Sequence, residues 1–145
     1  MDKYDSLKLG NQLCFPLYAT AKEIVRKYKP FLDELDLTYT QYITMMVLWE
    51  ENKLNVKELG DKLYLDSGTL TPLLKKLESK GYITRSRSKS DERQLDVCIT
   101  QEGLDLRDKA LSIPARLGAC IHLDPEEAKV LYGALQKILD GFKNE

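Results

Sequence analysis

The segment from residue 65 to residue 100 decides the fold, and its sequence is LDSGTLTPLLKKLESKGYITRSRSKSDERQLDVCIT. Its first half predicts an α-helix that begins at Asp66 or Ser67, because both residue types cap helices, and that stops at Gly81. Pro72 falls in the early part of this helix, where its missing N–H costs least.

The second half of the segment changes period and predicts a β-hairpin. Leu95, Val97 and Ile99 alternate with less apolar residues, which is the pattern of a half-buried strand. The preceding YITRSRS at 82–88 alternates as well, and KSDER at 89–93 is polar enough for a hairpin tip. We therefore expect a helix followed at once by a basic hairpin.

Helix signals dominate the rest of the chain. A first helix is indicated by an apolar stripe with a spacing of three and four residues: Leu13, Leu17, Ala21, Ile24 and Tyr28. We expect Asn11 to cap its start. We expect Pro30 to end it, because the residue before a proline avoids the helical region. PFLDEL at 30–35 can form one short helical turn.

Four further helix starts are marked by capping residues, at Thr38, Asn55, Thr100 and Asp124. The long helix after Thr100 is expected to be interrupted at Pro114. The start at Asp124 is the clearest, because Pro125 occupies the first helical position and Glu127 lies in the first turn.

Two close, short helices followed by a basic hairpin describe a winged helix-turn-helix, whose second helix enters the major groove of DNA. Ser67, Thr69 and Thr71 would present hydrogen-bonding groups to base edges from the N-terminal end of that helix. Lys75 and Lys76 would reach phosphates one turn later. The alternative is an amphipathic helix with solvated lysines.

The distribution of charge favours DNA binding. The net charge is −1, yet residues 75–93 hold seven basic and three acidic side chains, a local charge of +4 that leaves −5 for the remainder. A solvated face is the alternative for such a cluster taken alone. Here the cluster covers the second helix and the hairpin that follows it.

Composition excludes several other classes of protein. The 145 residues suit one domain. Neither a signal peptide nor the roughly 18 apolar residues of a membrane span is present, so a cytoplasmic protein without membrane contact is expected. The three cysteines, at positions 14, 98 and 120, give no disulfide framework and no zinc spacing. With a single histidine, His122, we expect no metal, no cofactor and no catalytic site.

The sequence LGDKLYLDSGTLTPLLKKLESKGYITRSRSKSDERQLDVCITQEG at 59–103, with its DER turn and a strand ending in IT, resembles the winged-helix core of the MarR family of bacterial transcription regulators. NQLCFPLYA at 11–19, together with LDSGTLTP, narrows the resemblance to the organic-hydroperoxide-sensing OhrR-type branch. The resemblance covers most of residues 8–142.

This resemblance implies a single MarR-type domain over 1–145, mainly α with a small β-hairpin wing. The winged helix-turn-helix would span about 38–100, and helices at about 8–35 and 101–142 would join two subunits into an obligate homodimer. Each subunit would bind half of a palindromic double-stranded operator, as a repressor and not as an enzyme. The sequence supports a dimer independently, through apolar residues in the C-terminal helices that a small domain cannot cover: Leu104, Leu111, Leu117, Leu131, Leu135, Ile138 and Leu139.

The resemblance also assigns roles within the wing. Arg93 would reach into the minor groove, and Asp91 would hold that arginine in place. Arg85 and Arg87, on the wing strand, would meet phosphates instead.

Cys14 stands two residues before Pro16, close to a helix start. Cysteine reacts as the thiolate, and a helix N-terminus stabilises negative charge. The alternative is a small buried hydrophobe. The resemblance implies that an organic hydroperoxide oxidises Cys14, with Tyr28 and Tyr39 reaching the thiol from the other subunit. Candidate residues for an apolar lining around it, each equally able to pack in a core, are Leu13, Phe15, Tyr18 and Trp49.

The sequence leaves the signal and the second cysteine open. Cys120 resembles the resolving cysteine of two-cysteine members, which would condense with oxidised Cys14 of the other subunit; an external thiol is the alternative. A small phenolic or drug-like ligand is the alternative signal, with Cys14 merely packed. A thiol peroxidase is disfavoured, because no second catalytic side chain clusters near Cys14 in sequence. Cys98 is expected to be inert.

Overall fold

The computed structural model describes residues 1–145, and it is mainly helical with one small antiparallel sheet. Two 3₁₀ turns, Asp5–Leu7 and Leu9–Asn11, precede the regular elements. These elements are α1 Cys14–Asp33, α2 Tyr39–Glu51, β1 Lys53–Asn55, α3 Val56–Leu63, α4 Ser67–Ser79, β2 Ile83–Arg87, β3 Leu95–Ile99, α5 Gln101–Ala110, α6 Ile113–Gly118 and α7 Pro125–Lys143. The predicted mainly α fold with a winged helix-turn-helix is confirmed.

The chain forms two compact units, Met1–Ile113 and Pro114–Glu145. The first unit contains the helix-turn-helix, the sheet and the long first helix. The second contains most of α6 and all of α7, which has no buried residue.

The predicted helix caps are confirmed for every helix except the first. Each capping side chain accepts a hydrogen bond from the backbone N–H three residues later, in α2, α3, α4, α5 and α7. Thr38 and Asp124 form full capping boxes with Gln41 and Glu127. Asp66, and not Ser67, caps α4. These local bonds fix where the helices begin.

Both expectations about the ends of the first helix are wrong. The helix continues through Pro30 to Asp33, although proline there removes one intrahelical hydrogen bond. The last turn is held by the core, where Leu32 is 1 % exposed. At the other end, Asn11 belongs to a 3₁₀ turn and its Nδ2 donates to the Asp5 carbonyl oxygen at 2.7 Å. The helix begins at Cys14 without a side-chain cap.

The interruption expected at Pro114 lies slightly earlier. Helix α5 ends at Ala110, and α6 begins at Ile113. Pro114 is therefore the second residue of α6. A backbone N–H at this position would have no acceptor within the helix, so proline costs no hydrogen bond there.

The sheet has the strand order β1-β3-β2, all antiparallel. The wing hairpin is confirmed, but β1 was not predicted, because three residues are too short to show alternation. In β3 only Val97 is fully buried, and it lies opposite Leu54 of β1 and Arg85 of β2. The sheet thus joins the wing to the segment that leads into α3.

Leucine side chains from five helices, α1 to α5, fill the core of the first unit, together with Met45, Ile83 and Val97. Trp49 donates from Nε1 to the Gly103 carbonyl oxygen at 2.8 Å and so ties α2 to α5. A β-carbon at Gly103 would lie 2.4 Å from the Tyr82 carbonyl oxygen. Only glycine permits this approach of α5 to the start of the wing.

Candidate nucleic-acid interface and thiol site

The turn between α3 and α4 is tight and sets the direction of α4. Tyr64 adopts the left-handed conformation with φ 57° and ends α3. A β-carbon at Gly60 would lie 2.7 Å from the Leu65 carbonyl oxygen in the turn and 3.0 Å from Leu70 Cδ1 in α4, so glycine is required for this close approach. The leucines of α4 face the core: Leu70, Leu73, Leu74 and Leu77.

The opposite face of α4 is polar and exposed. Ser67, Thr69 and Thr71 lie at its N-terminal end, and Lys75 and Lys76 follow about one turn later, all exposed. The Thr71 hydroxyl donates to the Ser67 carbonyl oxygen at 2.9 Å and keeps its lone pairs as acceptors. The predicted base-reading and phosphate-binding side chains therefore share one surface.

The cap of α4 keeps that surface ordered. Asp66 accepts from the Thr69 N–H at 2.8 Å, and this bond holds the pKa of the carboxyl below its usual value. The carboxylate is therefore charged at neutral pH and fixes the first turn, from which Ser67 and Thr69 project.

The tip of the wing holds Arg93 in an exposed position. The Ser88 N–H donates to the Gln94 carbonyl oxygen at 2.9 Å and closes the hairpin. The Arg93 side chain is 92 % exposed, and its backbone N–H and Nε donate to Asp91 Oδ1 at 3.0 and 3.3 Å. The expected contact between Asp91 and Arg93 is present, and the Nη groups of the guanidinium make no hydrogen bond within the chain. Lys89 is exposed on the same loop.

Arg85 is largely covered and pairs with a carboxylate of α4. Its side chain is 18 % exposed, and its Nε and Nη2 donate to Glu78 Oε1 at 3.2 and 3.0 Å. Its backbone N–H donates to Glu78 Oε2 at 2.9 Å. These bonds hold the pKa of Glu78 below its usual value. Glu78 was not singled out in the sequence, where it looks like any solvated helix residue. Arg87 is exposed.

Cys14 is the first residue of α1 and is exposed. Because no side chain caps this helix, the N–H groups of its first turn face the surroundings of the thiol. Leu13, Phe15 and Tyr18 are exposed around it. In one subunit the apolar lining expected for a peroxide pocket is therefore open. Trp49 lies against the core instead.

Three tyrosines form a cluster near the end of α1. The rings of Tyr28 and Tyr39 are 4.9 Å apart, and those of Tyr28 and Tyr42 are 5.7 Å apart. Burial, followed by Tyr39 and Tyr42, raises the pKa of Tyr28 to about 12. Burial also raises the pKa of Tyr39. Both phenols therefore remain protonated donors at neutral pH. Tyr42 was not predicted, although its spacing of three from Tyr39 places the two on one helix face.

Within one subunit Tyr28 lies too far from the Cys14 thiol for a contact. Tyr28 and Cys14 lie on the same continuous helix, fourteen residues apart in number, which corresponds to roughly 21 Å of helix length. A contact between them requires a second copy of α1.

The other two cysteines differ in surroundings. Cys120 is exposed, follows α6 in the second unit, and lies with its thiol 3.7 Å from the Arg116 carbonyl oxygen. Cys98 is half-buried on β3, opposite Lys53 and Thr84 of the neighbouring strands. No group of three or more potential ligands could hold a metal ion.

Both terminal regions expose apolar side chains. On α1 these include Tyr18 and Val25, and on α7 they include Val130, Tyr132 and Phe142, which are 72, 71 and 63 % exposed. No helix is long and apolar enough to cross a membrane. Several large apolar side chains exposed along one helix are typical of a protein–protein interface.

Known proteins share this arrangement. The model of the SarA/Rot transcriptional regulators matches residues 26–110. The organic hydroperoxide resistance transcriptional regulator of Bacillus subtilis is 47 % identical over 139 residues, which cover 96 % of this chain and 95 % of that protein. The HTH-type transcriptional regulator SarZ of Staphylococcus saprophyticus is 46 % identical over 132 residues, with 91 and 90 % covered.

Solved structures of AbfR of Staphylococcus epidermidis are similar as well. Reduced AbfR bound to DNA is 34 % identical with a TM-score of 0.78, covering 97 % of each chain. Overoxidised AbfR bound to DNA is 33 % identical with a TM-score of 0.78, covering 97 % of this chain and 99 % of that chain. Disulfide-formed AbfR is 33 % identical with a TM-score of 0.65, covering 94 and 96 %.

The fold and the exposed basic surface define a winged-helix DNA-binding transcriptional regulator, not an enzyme. The chain belongs to the MarR family, in the branch of the organic hydroperoxide regulators.

Proposed function

We propose that this regulator is a homodimeric repressor that binds a palindromic operator when reduced and leaves it when an organic hydroperoxide oxidises Cys14. The observation that carries the proposal is the position of Cys14, exposed as the first residue of a helix without a side-chain cap. An exposed thiol is open to attack on a peroxide, and cysteine reacts in its thiolate form.

The DNA-binding half of the proposal rests on exposed polar and basic side chains of α4 and of the wing. Thr69 and Thr71 on α4 can reach base edges, Lys75 and Lys76 can reach phosphates, and Arg93 at the wing tip is exposed and oriented by a carboxylate. Reduced AbfR, which has the same fold, is bound to DNA.

The dimer is supported by what each subunit leaves uncovered. Helices at about 8–35 and 101–142 would join the two subunits, because α1 and α7 expose apolar side chains that a partner can bury. A second copy of α1 would also bring Tyr28 and Tyr39 to the Cys14 thiol, which Tyr28 cannot reach within one chain. Their protonated hydroxyls would donate to the thiolate.

The first chemical step is an attack of the Cys14 thiolate on the outer oxygen of the hydroperoxide. The O–O bond breaks, an alcohol leaves after taking up a proton, and Cys14 becomes a sulfenic acid. In the second step the Cys120 thiol of the other subunit attacks that sulfur. A disulfide forms and water leaves, with both thiols oxidised and the hydroperoxide reduced.

The second step is supported by the solved forms of AbfR. Overoxidised AbfR is bound to DNA, so in that protein addition of oxygen alone leaves a form that binds. Disulfide-formed AbfR has the lower TM-score of 0.65 against this chain, compared with 0.78 for reduced AbfR. By analogy, the disulfide and not overoxidation would release the operator here.

The test begins with selection of the operator. Reduced protein selects duplexes from a randomised pool, and the bound fraction is eluted with cumene hydroperoxide. The proposal expects palindromes with half-sites about 10 base pairs apart and elution from wild type but not from Cys14→Ser. Recovery of unsymmetrical sites contradicts the dimer, and elution from Cys14→Ser contradicts the sensor. Many peroxides consumed per thiol would indicate an enzyme.

A further inference from the structure

Strand β2 is the first strand of the wing and lies at the edge of the sheet. It follows α4, the helix that would read the bases and is called the recognition helix below. Because the strand order is β1-β3-β2, one side of β2 has no neighbouring strand. The outward backbone N–H of Arg85 on that side needs a partner. A carboxylate from α4 supplies it, because Glu78 Oε2 accepts this N–H at 2.9 Å.

The other oxygen of the same carboxylate binds the arginine side chain. Nε and Nη2 of Arg85 donate to Glu78 Oε1 at 3.2 and 3.0 Å. Glu78 therefore receives three N–H groups from one residue of the wing. Because two N–H groups of the planar guanidinium bind one oxygen while the backbone N–H binds the other, the orientation of Arg85 is fixed as well as its distance from Glu78.

The short connection between the two elements is also rigid. The Tyr82 N–H donates to the Leu77 carbonyl oxygen at 3.1 Å, and Gly81 adopts φ 86°. This is the bond pattern with which helices commonly end at a left-handed glycine. The backbone turn sets where the wing begins, and the Glu78–Arg85 pair sets the direction of its first strand.

We infer that Glu78 and Arg85 are positioning residues, which hold the wing at a fixed angle to the recognition helix so that Arg93 and α4 engage DNA together. The inference rests on the proposed DNA-binding surface. It replaces the expected phosphate contact of Arg85 with a role that acts through Arg93.

The two roles predict opposite effects of Glu78→Gln on operator binding. If Arg85 contacted phosphates, removal of a competing carboxylate near DNA would leave affinity unchanged or increased, and Arg85→Lys would bind nearly as wild type. If the pair positions the wing, each variant weakens operator binding by about tenfold. Glu78→Gln removes the carboxylate charge, and Arg85→Lys removes the planar guanidinium that binds it. Unchanged or tighter binding by Glu78→Gln overturns the inference.

A double-mutant cycle separates positioning from general damage to the fold. In an Arg93→Ala background, Glu78→Gln should weaken binding by less than about twofold, because the group that it positions is already absent. A loss of about tenfold that persists in that background overturns the inference. Urea titration of each variant identifies conditions in which all are fully folded.

A third measurement needs no DNA and so distinguishes failure of this inference from failure of the proposed function. In the free protein, Glu78→Ala should speed hydrogen exchange of the Arg85 amide by about tenfold or more, because its acceptor is gone. Glu23→Ala on α1 is the matched control, since it also removes a glutamate that pairs with an arginine, Arg26, and it should leave the exchange of the Arg85 amide unchanged. An Arg85 amide that exchanges equally fast in wild type and Glu78→Ala overturns the inference.

Discussion

Replacement of Arg93 with alanine tests how the wing binds DNA. The side chain is 92 % exposed, and only its Nε is directed at Asp91, so the Nη groups are available to a groove. Truncation removes no core contact, because nothing in the interior touches this side chain. The variant should therefore keep the stability of the wild type and lose affinity for the operator.

The expected loss follows from the number of arginines in the proposed dimer. A good arginine contact to a base edge contributes about 1 to 3 kcal/mol, so two wings contribute about 2 to 6 kcal/mol. Operator affinity should then fall by between about 30-fold and about 10⁴-fold. If both guanidinium groups also displace counterions, the slope of log affinity against log salt should decrease in magnitude by about 1.8.

Fluorescence anisotropy of a labelled operator, titrated at several salt concentrations between about 50 and 200 mM, measures both quantities. Lys89→Ala is the matched control, because Lys89 is exposed on the same loop and should contribute less. The reasoning is refuted if Arg93→Ala binds with wild-type affinity and an unchanged salt slope.

Three further predictions concern the disulfide, the core and the tyrosines. After one equivalent of organic hydroperoxide, non-reducing electrophoresis should show a covalent dimer in wild type and in Cys98→Ser. Neither Cys14→Ser nor Cys120→Ser should form it. A monomer with only a mixed disulfide at Cys14 would exclude Cys120 as the resolving thiol. Leu77→Ala empties a fully buried position of α4 and should lower the free energy of unfolding by about 2 to 5 kcal/mol in urea titrations, whereas a loss well below that range would show that α4 is loosely packed. The pKa of Tyr28 is raised from 10.0 to about 12, so the contribution of the protonated phenol to stability is fully present below pH 10 and is lost as the pH rises through 12. Chemical denaturation should show a smaller alkaline loss of stability for Tyr28→Phe than for wild type. An unchanged pH profile would contradict the raised pKa.

The features that the sequence predicted well are those set by local chemistry. The caps at Thr38, Asn55, Thr100 and Asp124 form because a short side chain satisfies an N–H three residues later, which needs no tertiary contact. The wing hairpin followed from the change of period, and the contact between Asp91 and Arg93 is likewise local.

The features that the sequence missed depend on contacts distant in the chain. Pro30 does not end α1, because burial of Leu32 in the core holds the following turn in place. Strand β1 exists because β3, more than forty residues later, pairs with it. Arg85 is a basic residue in a basic segment, and only the folded chain shows that Glu78 binds it.

The central claim is that oxidation of Cys14 controls operator binding, and the most direct measurement is a quantitative titration of the labelled operator with reduced and oxidised protein. Wild type treated with one equivalent of cumene hydroperoxide should bind about a thousandfold more weakly than reduced wild type, a difference of about 4 kcal/mol. Cys14→Ser should bind equally before and after treatment. Equal affinity of reduced and oxidised wild type, or equal release of Cys14→Ser, would contradict the account.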